Sequence, residues 1–141
     1  MITAASPWSL HPRLAADAAP VGDLPLSRVL AVDDVNFPWV LLVPRRAGAS
    51  EIIDLSEPDQ AQLTAEIARV ASALKRITSC DKLNVAAIGN VVPQLHIHVV
   101  ARRTDDAAWP RPVWGAVPAK PYGAGELELF IAALRRTVGF A

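Results

Sequence analysis

The sequence contains little cysteine and no excess of charge of either sign. Cys80 is the single cysteine among 141 residues, which excludes an internal disulfide framework and a cysteine-rich zinc module. Lys and Arg together number 14, and so do Asp and Glu, so the formal net charge is zero. Such a chain has no overall positive field to hold duplex nucleic acid. An anion would therefore have to be held by a local site.

Long hydrophobic runs are also absent. The longest, such as residues 39–43, are far shorter than the ~20 residues that a membrane-spanning helix needs. Residues 1–23 do not combine a basic segment with a following apolar run, so we expect no secretory signal. We expect a cytoplasmic protein that makes no contact with a membrane, and the length predicts a single domain over residues 1–141.

Helical periodicity is present in two segments. Ser56 followed by Glu57 and Pro58 is typical of a helix start, and apolar residues then recur every three or four positions. We predict a long helix from about Glu57 to Ile77 and a C-terminal helix over about 125–138. A shorter helix is predicted around 9–18.

Strands are predicted at residues 26–33, 39–45, 83–88 and 94–102. Short loops join the first two and the last two, which predicts two hairpins. Two hairpins around one long helix favour an α+β fold with a mainly antiparallel sheet.

An irregular arm, residues 104–124, separates the last predicted strand from the C-terminal helix. It contains Trp109 and Trp114 among several prolines. A long stretch without regular structure in a small domain is usually functional or docked on a surface. Two interpretations stay open: the arm covers the protein's own sheet edge, or it lines a binding site or a partner subunit.

Two of the three histidines lie in the stretch Gln94-Leu95-His96-Ile97-His98. Side chains alternate along a strand, so Leu95 and Ile97 share one face. Gln94, His96 and His98 share the other. Alternate residues lie ~6.6–6.8 Å apart, close enough for two imidazoles to address one small anionic group. We expect the polar face to open on a cleft.

Three interpretations of the histidine pair stay open at this point. The histidines are structural residues on a half-exposed sheet face, or they bind zinc, or one is a nucleophile supported by the other. A zinc site needs a third protein ligand, and neither His11 nor Cys80 has a ligand-like spacing to the pair. We predict no metal site.

Two further residues are weaker candidates. Cys80 is expected to be a small buried hydrophobic residue rather than a reactive thiol. Arg102, at the end of the last predicted strand, is interpreted either as a solvated cation or as a phosphate contact.

The run Pro93–Arg102 (PQLHIHVVAR) resembles the signature of the histidine triad (HIT) family, which alternates three histidines with apolar residues. The order of predicted elements and the segment VLLVPRR at 40–46 are similar to that family too, as is the glycine- and asparagine-containing approach to the motif. The resemblance covers about residues 26–114. It implies a HIT-like α+β fold with a sheet of about five strands, one long helix and a C-terminal helix.

The resemblance also implies roles for the motif residues. By position, His96 is the nucleophile that forms a covalent nucleotidyl-imidazole, and His98 holds a non-bridging phosphate oxygen. The backbone carbonyl of Gln94 would accept a hydrogen bond from the other ring nitrogen of His96. The predicted nucleotide- and phosphate-binding residues are Asn84, Asn90 and Trp39.

The implied activity is that of a nucleotide hydrolase or nucleotidyltransferase acting on phosphoric anhydride or phosphoramidate bonds, similar to diadenosine polyphosphate hydrolases. The expected substrate is a purine nucleotide or dinucleotide. The sequence requires no cofactor, and a divalent cation accompanying the nucleotide is compatible with it. We expect a twofold homodimer in which the arm of one subunit lies near the His96 site of the other or across the shared interface.

Two positions depart from the family pattern. Gln94 stands where the family has its first histidine, and Pro38-Trp39 stands where many members have Gly-His before the strand. The nucleophile survives both changes. The alternative function that these departures permit is a nucleotide-binding or interaction module with weak or no catalysis.

Overall fold

A five-stranded antiparallel sheet organises residues 7–140, the part of the chain that the computed structural model describes. The elements in chain order are α1 (Pro12–Asp17), β1 (Ala18–Asp23), β2 (Ser27–Val32), β3 (Trp39–Pro44), a 3-10 turn (Ile52–Asp54), α2 (Glu57–Thr78), β4 (Lys82–Ala86), β5 (Ile97–Arg102) and α3 (Glu126–Val138). The strand order is β1-β2-β3-β5-β4, and each neighbouring pair is antiparallel. The predicted α+β fold with an antiparallel sheet of about five strands is confirmed.

Helix α2 begins and ends within a residue of its predicted bounds. The Ser56 hydroxyl accepts a hydrogen bond from the backbone N–H of Asp59 at 3.2 Å and so caps the helix start. Ser79 follows the last turn with a φ of 51°, the left-handed conformation common after a helix end. None of the helices within residues 7–140 is both long and apolar enough to cross a membrane.

One side of the sheet, which we call the helix face, carries α2 and α3. Leu63, Val70 and Leu74 of α2 are buried there with Leu134 of α3. The strands contribute Val29, Ala31, Val40, Leu42, Ile97, Val99 and Ala101 to the same cluster. Burial of this apolar surface is the main force that holds the two helices on the sheet.

Strand β1 was missed by the sequence prediction, and α1 is shorter than the predicted helix around 9–18. The strand contains Pro20 and Gly22, both poor strand formers, and its register with β2 shifts between them. As an edge strand it tolerates this irregularity. Gly22 leaves room for the Phe140 ring, since a Cβ at position 22 would lie 2.8 Å from a ring carbon.

Strand β5 begins at Ile97, three residues later than predicted. The backbone N–H of Leu95 donates to the carbonyl of Ala49 at 3.0 Å, so this residue bonds to the loop after β3 instead of to a neighbouring strand. The predicted alternation nevertheless holds, because Leu95, Ile97 and Val99 are all buried on the helix face.

The arm, residues 104–124, packs on the opposite side of the sheet, which we call the histidine face. Val113 and Ala108 are buried with Phe37 and Val100. The arm then runs beside the β2–β3 loop, where the N–H of Val35 donates to the carbonyl of Lys120 at 2.7 Å. The arm thus covers a face of its own sheet rather than a strand edge.

Candidate active site

A cavity of about 650 Å³ opens on the histidine face, a size typical of small-molecule sites. Its walls come from α1, from strands β2, β3 and β5, from the loop at 88–92 and from the arm. Its lining residues include Arg13, Leu14, Asp17, Val32, Asp33, Asp34, Trp39, Leu41, Asn90, Val92, His96, His98 and Trp114.

His96 has a defined tautomer. Its Nδ1 lies 2.7 Å from the backbone carbonyl oxygen of Gln94, and since a carbonyl can only accept, Nδ1 carries the hydrogen. In the neutral ring Nε2 is then unprotonated and available as a nucleophile or base. This is the contact that the family resemblance implied for residue 94, and it needs only the backbone of that residue.

His98 has the opposite tautomer. The indole Nε1–H of Trp39 can only donate, and it lies 3.0 Å from Nδ1 of His98. The neutral ring therefore carries its hydrogen on Nε2. Burial, with a smaller contribution from His96 next to it, lowers the pKa of His98 to about 4, so this ring is neutral at physiological pH.

The two imidazoles form one functional pair. Their ring centroids are 4.9 Å apart and both rings line the cavity. One presents an unprotonated nitrogen and the other an N–H donor, the combination that an electrophilic centre with an attached oxygen requires. Within residues 7–140, no group of three or more His, Cys, Asp or Glu side chains is arranged to hold a metal ion.

Trp39 contacts the histidine pair from β3. Its ring centroid is 5.7 Å from that of His98 and 6.0 Å from that of Trp114 on the arm. Trp114 in turn lies 5.2 Å from His98. Hence the arm reaches the site of its own chain, in agreement with the interpretation that it lines a binding site. Trp39 was predicted as a nucleotide-binding residue, and its hydrogen bond to His98 was not foreseen.

The side chain of Gln94 bonds to the segment before α1. Its Oε1 accepts from the N–H of His11 at 2.8 Å, and its Nε2 donates to the carbonyl of Ser9 at 2.9 Å. The side chain of the residue that departs from the family pattern therefore binds backbone 83 and 85 positions earlier in the chain.

The two predicted asparagines lie in different surroundings. Asn90 lines the cavity in the loop before the motif. Asn84 lies on β4, outside the cavity lining, and its Oδ1 accepts a hydrogen bond from Arg102 at 2.8 Å. The structure thus brings His96, His98, Trp39 and Asn90 together and leaves Asn84 apart.

Arg102 is buried, not solvated, and it does not reach the cavity. Its guanidinium donates to both carboxylate oxygens of Asp106, at 2.7 and 3.1 Å. Although burial raises the pKa of Asp106, the hydrogen bonds from Arg102 and from three backbone N–H groups lower it to about 2. The guanidinium also lies over the rings of Phe37 and Trp109. This pair fixes the start of the arm on the histidine face.

Sequence reasoning missed the wall that α1 contributes. Arg13, Leu14, Ala16 and Asp17 all line the cavity, although α1 lies about 80 residues before the motif. Leu14 is the one buried residue of this six-residue helix, so the sequence offers no apolar repeat that would signal such a role. Asp33 and Asp34, at the end of β2, were likewise not singled out.

Comparison with known proteins yields one family. The model of the HIT domain matches residues 13–105. A histidine triad protein from Bradyrhizobium japonicum is 62% identical, with 94% of this chain and 99% of that chain covered and a TM-score of 0.92. Histidine triad proteins from Sinorhizobium meliloti 1021 and Marinobacter aquaeolei VT8 are 42% and 41% identical, with TM-scores of 0.90 and 0.91. These two alignments cover 92% and 94% of this chain and 96% and 97% of the others. No curated protein matches the sequence.

Proposed function

Because the chain belongs to the HIT domain family, we propose that it binds a nucleotide in the cavity and cleaves the nucleoside monophosphate from its leaving group through His96. The observation that carries this proposal is the hydrogen bond of 2.7 Å between Nδ1 of His96 and the carbonyl of Gln94. It fixes the ring so that Nε2 keeps its lone pair at the site. The neighbouring His98 offers an N–H donor where His96 offers an unprotonated nitrogen.

In the first step, Nε2 of His96 attacks the α-phosphorus of the bound nucleotide. The N–P bond forms as the bond between phosphorus and the leaving group breaks, and the leaving group departs with the electron pair. The imidazole becomes positively charged, and the carbonyl of Gln94, which keeps its hydrogen bond to Nδ1–H, stabilises that charge.

His98 acts on the oxygen atoms of the same phosphorus. Negative charge builds up on the non-bridging oxygens as the nucleophile approaches, and a preorganised donor in a site with little water stabilises it. The Nε2–H of His98 has this role, and Trp39 keeps the donor in place by occupying Nδ1.

In the second step, water attacks the phosphorus of the nucleotidyl-imidazole. A bond forms between the water oxygen and phosphorus as the P–N bond breaks, and the electron pair of the P–N bond returns to Nε2. One proton of the water passes to the solvent, so that the nucleoside monophosphate is released and the ring is neutral again. Any other acceptor in place of water makes the protein a transferase. The leaving group is joined through a phosphoric anhydride or phosphoramidate bond, and the expected base is a purine.

The rest of the cavity suits a nucleoside. Leu14, Val32 and Leu41 offer an apolar surface to a base, and Asn90 offers an amide near the phosphate end. A divalent cation is compatible with this chemistry only as a partner of the nucleotide phosphates. We further propose a twofold homodimer and a cytoplasmic location.

Trapping the intermediate tests the proposal. The protein is mixed with an adenosine phosphoramidate or a diadenosine polyphosphate labelled at the α-phosphorus and quenched in mild alkali, in which a nucleotidyl-imidazole survives. We expect label on the peptide that contains His96, and none on the His96→Asn variant, whose turnover falls by a factor on the order of 10⁴–10⁶.

The controls separate catalysis from binding. His11→Asn removes the third histidine, which is not part of the pair, and keeps the label. Nucleotide binding by the wild type without turnover or label would favour the alternative, a binding module with weak or no catalysis. Label that persists in His96→Asn would contradict the assignment of the nucleophile.

A further inference from the structure

Gln94 connects the strand of the histidine pair to the wall of the cavity. Through its backbone carbonyl it orients His96, and through its side chain it holds Ser9 and His11. The two functions are separable, because a substitution at position 94 removes the amide and leaves the carbonyl.

The two side-chain hydrogen bonds form a clamp. An amide carries its acceptor and its donor on one carbon atom, side by side. It can therefore bond to an N–H and a C=O that lie two residues apart on one extended backbone, as His11 and Ser9 do. The two ring nitrogens of an imidazole diverge, so a histidine at position 94 can make at most one of these contacts.

The segment held by the clamp continues directly into α1. The side chain of His11 accepts a hydrogen bond from the N–H of Arg13 at 3.1 Å and caps the helix. Arg13, Leu14 and Asp17 then line the cavity. Displacement of His11 would therefore be transmitted within one helical turn to the cavity wall.

Apolar packing alone does not define the position of this wall. Leu14 is buried against Leu30, Leu41 and Val43 of the histidine face. Such contacts are non-directional, so they hold the segment against the sheet without fixing where it lies along it. At its C-terminal end α1 is held by a directional contact, since the N–H of Asp33 donates to the carbonyl of Asp17 at 3.1 Å. The clamp supplies the directional contacts at the N-terminal end.

We propose that Gln94 is a positioning and specificity-determining residue, whose amide fixes the α1 wall and thereby sets how tightly the cavity holds the nucleoside part of its ligand. This inference rests on the proposed function for the identity of the ligand. Gln94, which stands where the family has its first histidine, then affects the binding of the substrate and not the bond that breaks.

The test compares Gln94→Met, which keeps length and volume but removes both hydrogen bonds, with wild type. Amide hydrogen exchange of His11, followed by NMR, should accelerate on the order of tenfold to hundredfold, since two hydrogen bonds are lost. With an adenosine phosphoramidate as substrate, KM should rise about tenfold while kcat changes less than about threefold, because the carbonyl of residue 94 is retained.

Two further variants make the test specific. Gln60→Met removes a glutamine-to-backbone hydrogen bond on α2, where Gln60 donates to the carbonyl of Leu55. It should leave both His11 exchange and KM unchanged. Gln94→His, which can keep at most one of the two contacts, should shift both His11 exchange and KM in the same direction as Gln94→Met, by the same amount or less.

Several outcomes would overturn the inference. These are unchanged His11 exchange in Gln94→Met, faster exchange with unchanged KM, or full retention of both properties in Gln94→His. If the wild type turns over no nucleotide, the proposed function is wrong. The proposal that the α1 wall contacts a nucleoside is then wrong too. The exchange measurement does not depend on turnover, so the two failures are distinguishable.

Discussion

On the helix face, β3 and β5 contribute Val40, Leu42 and Val99, which are packed under α2 and α3. On the histidine face the same two strands contribute Leu41, Trp39 and His98, which line a cavity. Because side chains alternate along a strand, one stretch of backbone serves both faces. The helix face is a mainly apolar layer, in which the buried Glu66 accepts from the N–H groups of Leu26 and Ser27. On the histidine face, His96 and His98 are each oriented by a directional hydrogen bond.

The difference teaches which kind of substitution each face tolerates. Buried apolar residues contribute mainly to the free energy of unfolding, since their contacts are many and non-directional. The histidines contribute mainly through atoms with a fixed direction, as Nδ1 of His96 and Nδ1 of His98 illustrate. Stability and turnover should therefore respond to different faces.

The largest expected effect on stability is on the helix face. Leu74 is fully buried under the sheet, and Leu74→Ala should lower the free energy of unfolding by about 2–5 kcal/mol, as the lost transfer energy and the new cavity add. Urea titration measures this change. The kcat of the molecules that remain folded should stay within about twofold, and a loss of turnover per folded molecule would break the separation between the faces.

On the histidine face, His98→Ala should reduce kcat by about 10²–10³, because it removes one donor to the charge that develops on the non-bridging oxygens. Steady-state kinetics at pH 7.5 measures the loss. Label should still accumulate at His96, since the nucleophile is intact. A variant with wild-type kcat would exclude His98 as the donor.

The histidine face should also make the free energy of unfolding depend on pH. Burial holds the pKa of His98 at about 4 in the folded protein, against 6.5 in the unfolded chain. As pH falls below 6.5, the unfolded chain takes up a proton that the folded ring resists, so stability is lost down to about pH 4. The loss should approach about 3 kcal/mol.

His98→Ala is the control for this acid dependence, because it removes the titrating ring and should flatten the curve between pH 6.5 and 4. Asp106, whose pKa is about 2, loses its contribution to the free energy of unfolding only below this pH range. Urea titrations of both proteins across this range decide the matter, and parallel curves would contradict the assignment to His98.

The smallest expected effect concerns the contact between the two strands at the site. Trp39→Phe keeps an aromatic ring but removes the N–H that bonds to Nδ1 of His98. We expect kcat to fall about tenfold, as His98 is free to present either tautomer. Trp109→Phe, on the outer part of the arm, is the matched control and should leave kcat unchanged. Equal effects of the two variants would show that the indole hydrogen bond is irrelevant.

The sequence predicted well those features that local patterns encode. Helix α2 has a cap at Ser56 and a regular apolar repeat, and the alternation around His96 assigned the motif residues to the correct faces. Strand β1 carries Pro20 and Gly22 and acquires its strand conformation only through pairing with β2. No local pattern could have indicated it.

At the site, the histidine pair and the role of the Gln94 carbonyl could be predicted from the motif. The partners of the remaining polar groups were not. Arg102 finds Asp106 and Asn84 once β4 and the arm are in place, and Trp39 finds His98 across 59 positions of sequence. The contacts of Arg102 with Asn84 and of Trp39 with His98 depend on the register between strands, which a single sequence does not specify.

The carbonyl that orients His96 has a consequence for how this protein can diverge. A side-chain partner can be lost by one substitution, whereas the peptide group of residue 94 is present whatever residue is encoded there. The orientation of the His96 ring is thus insulated from mutation at that codon. The side chain at position 94 can therefore acquire a second role without loss of the first. The hydrogen bond to Nδ1 of His96 can be weakened directly only by chemical synthesis that replaces the amide bond itself, for example with a thioamide.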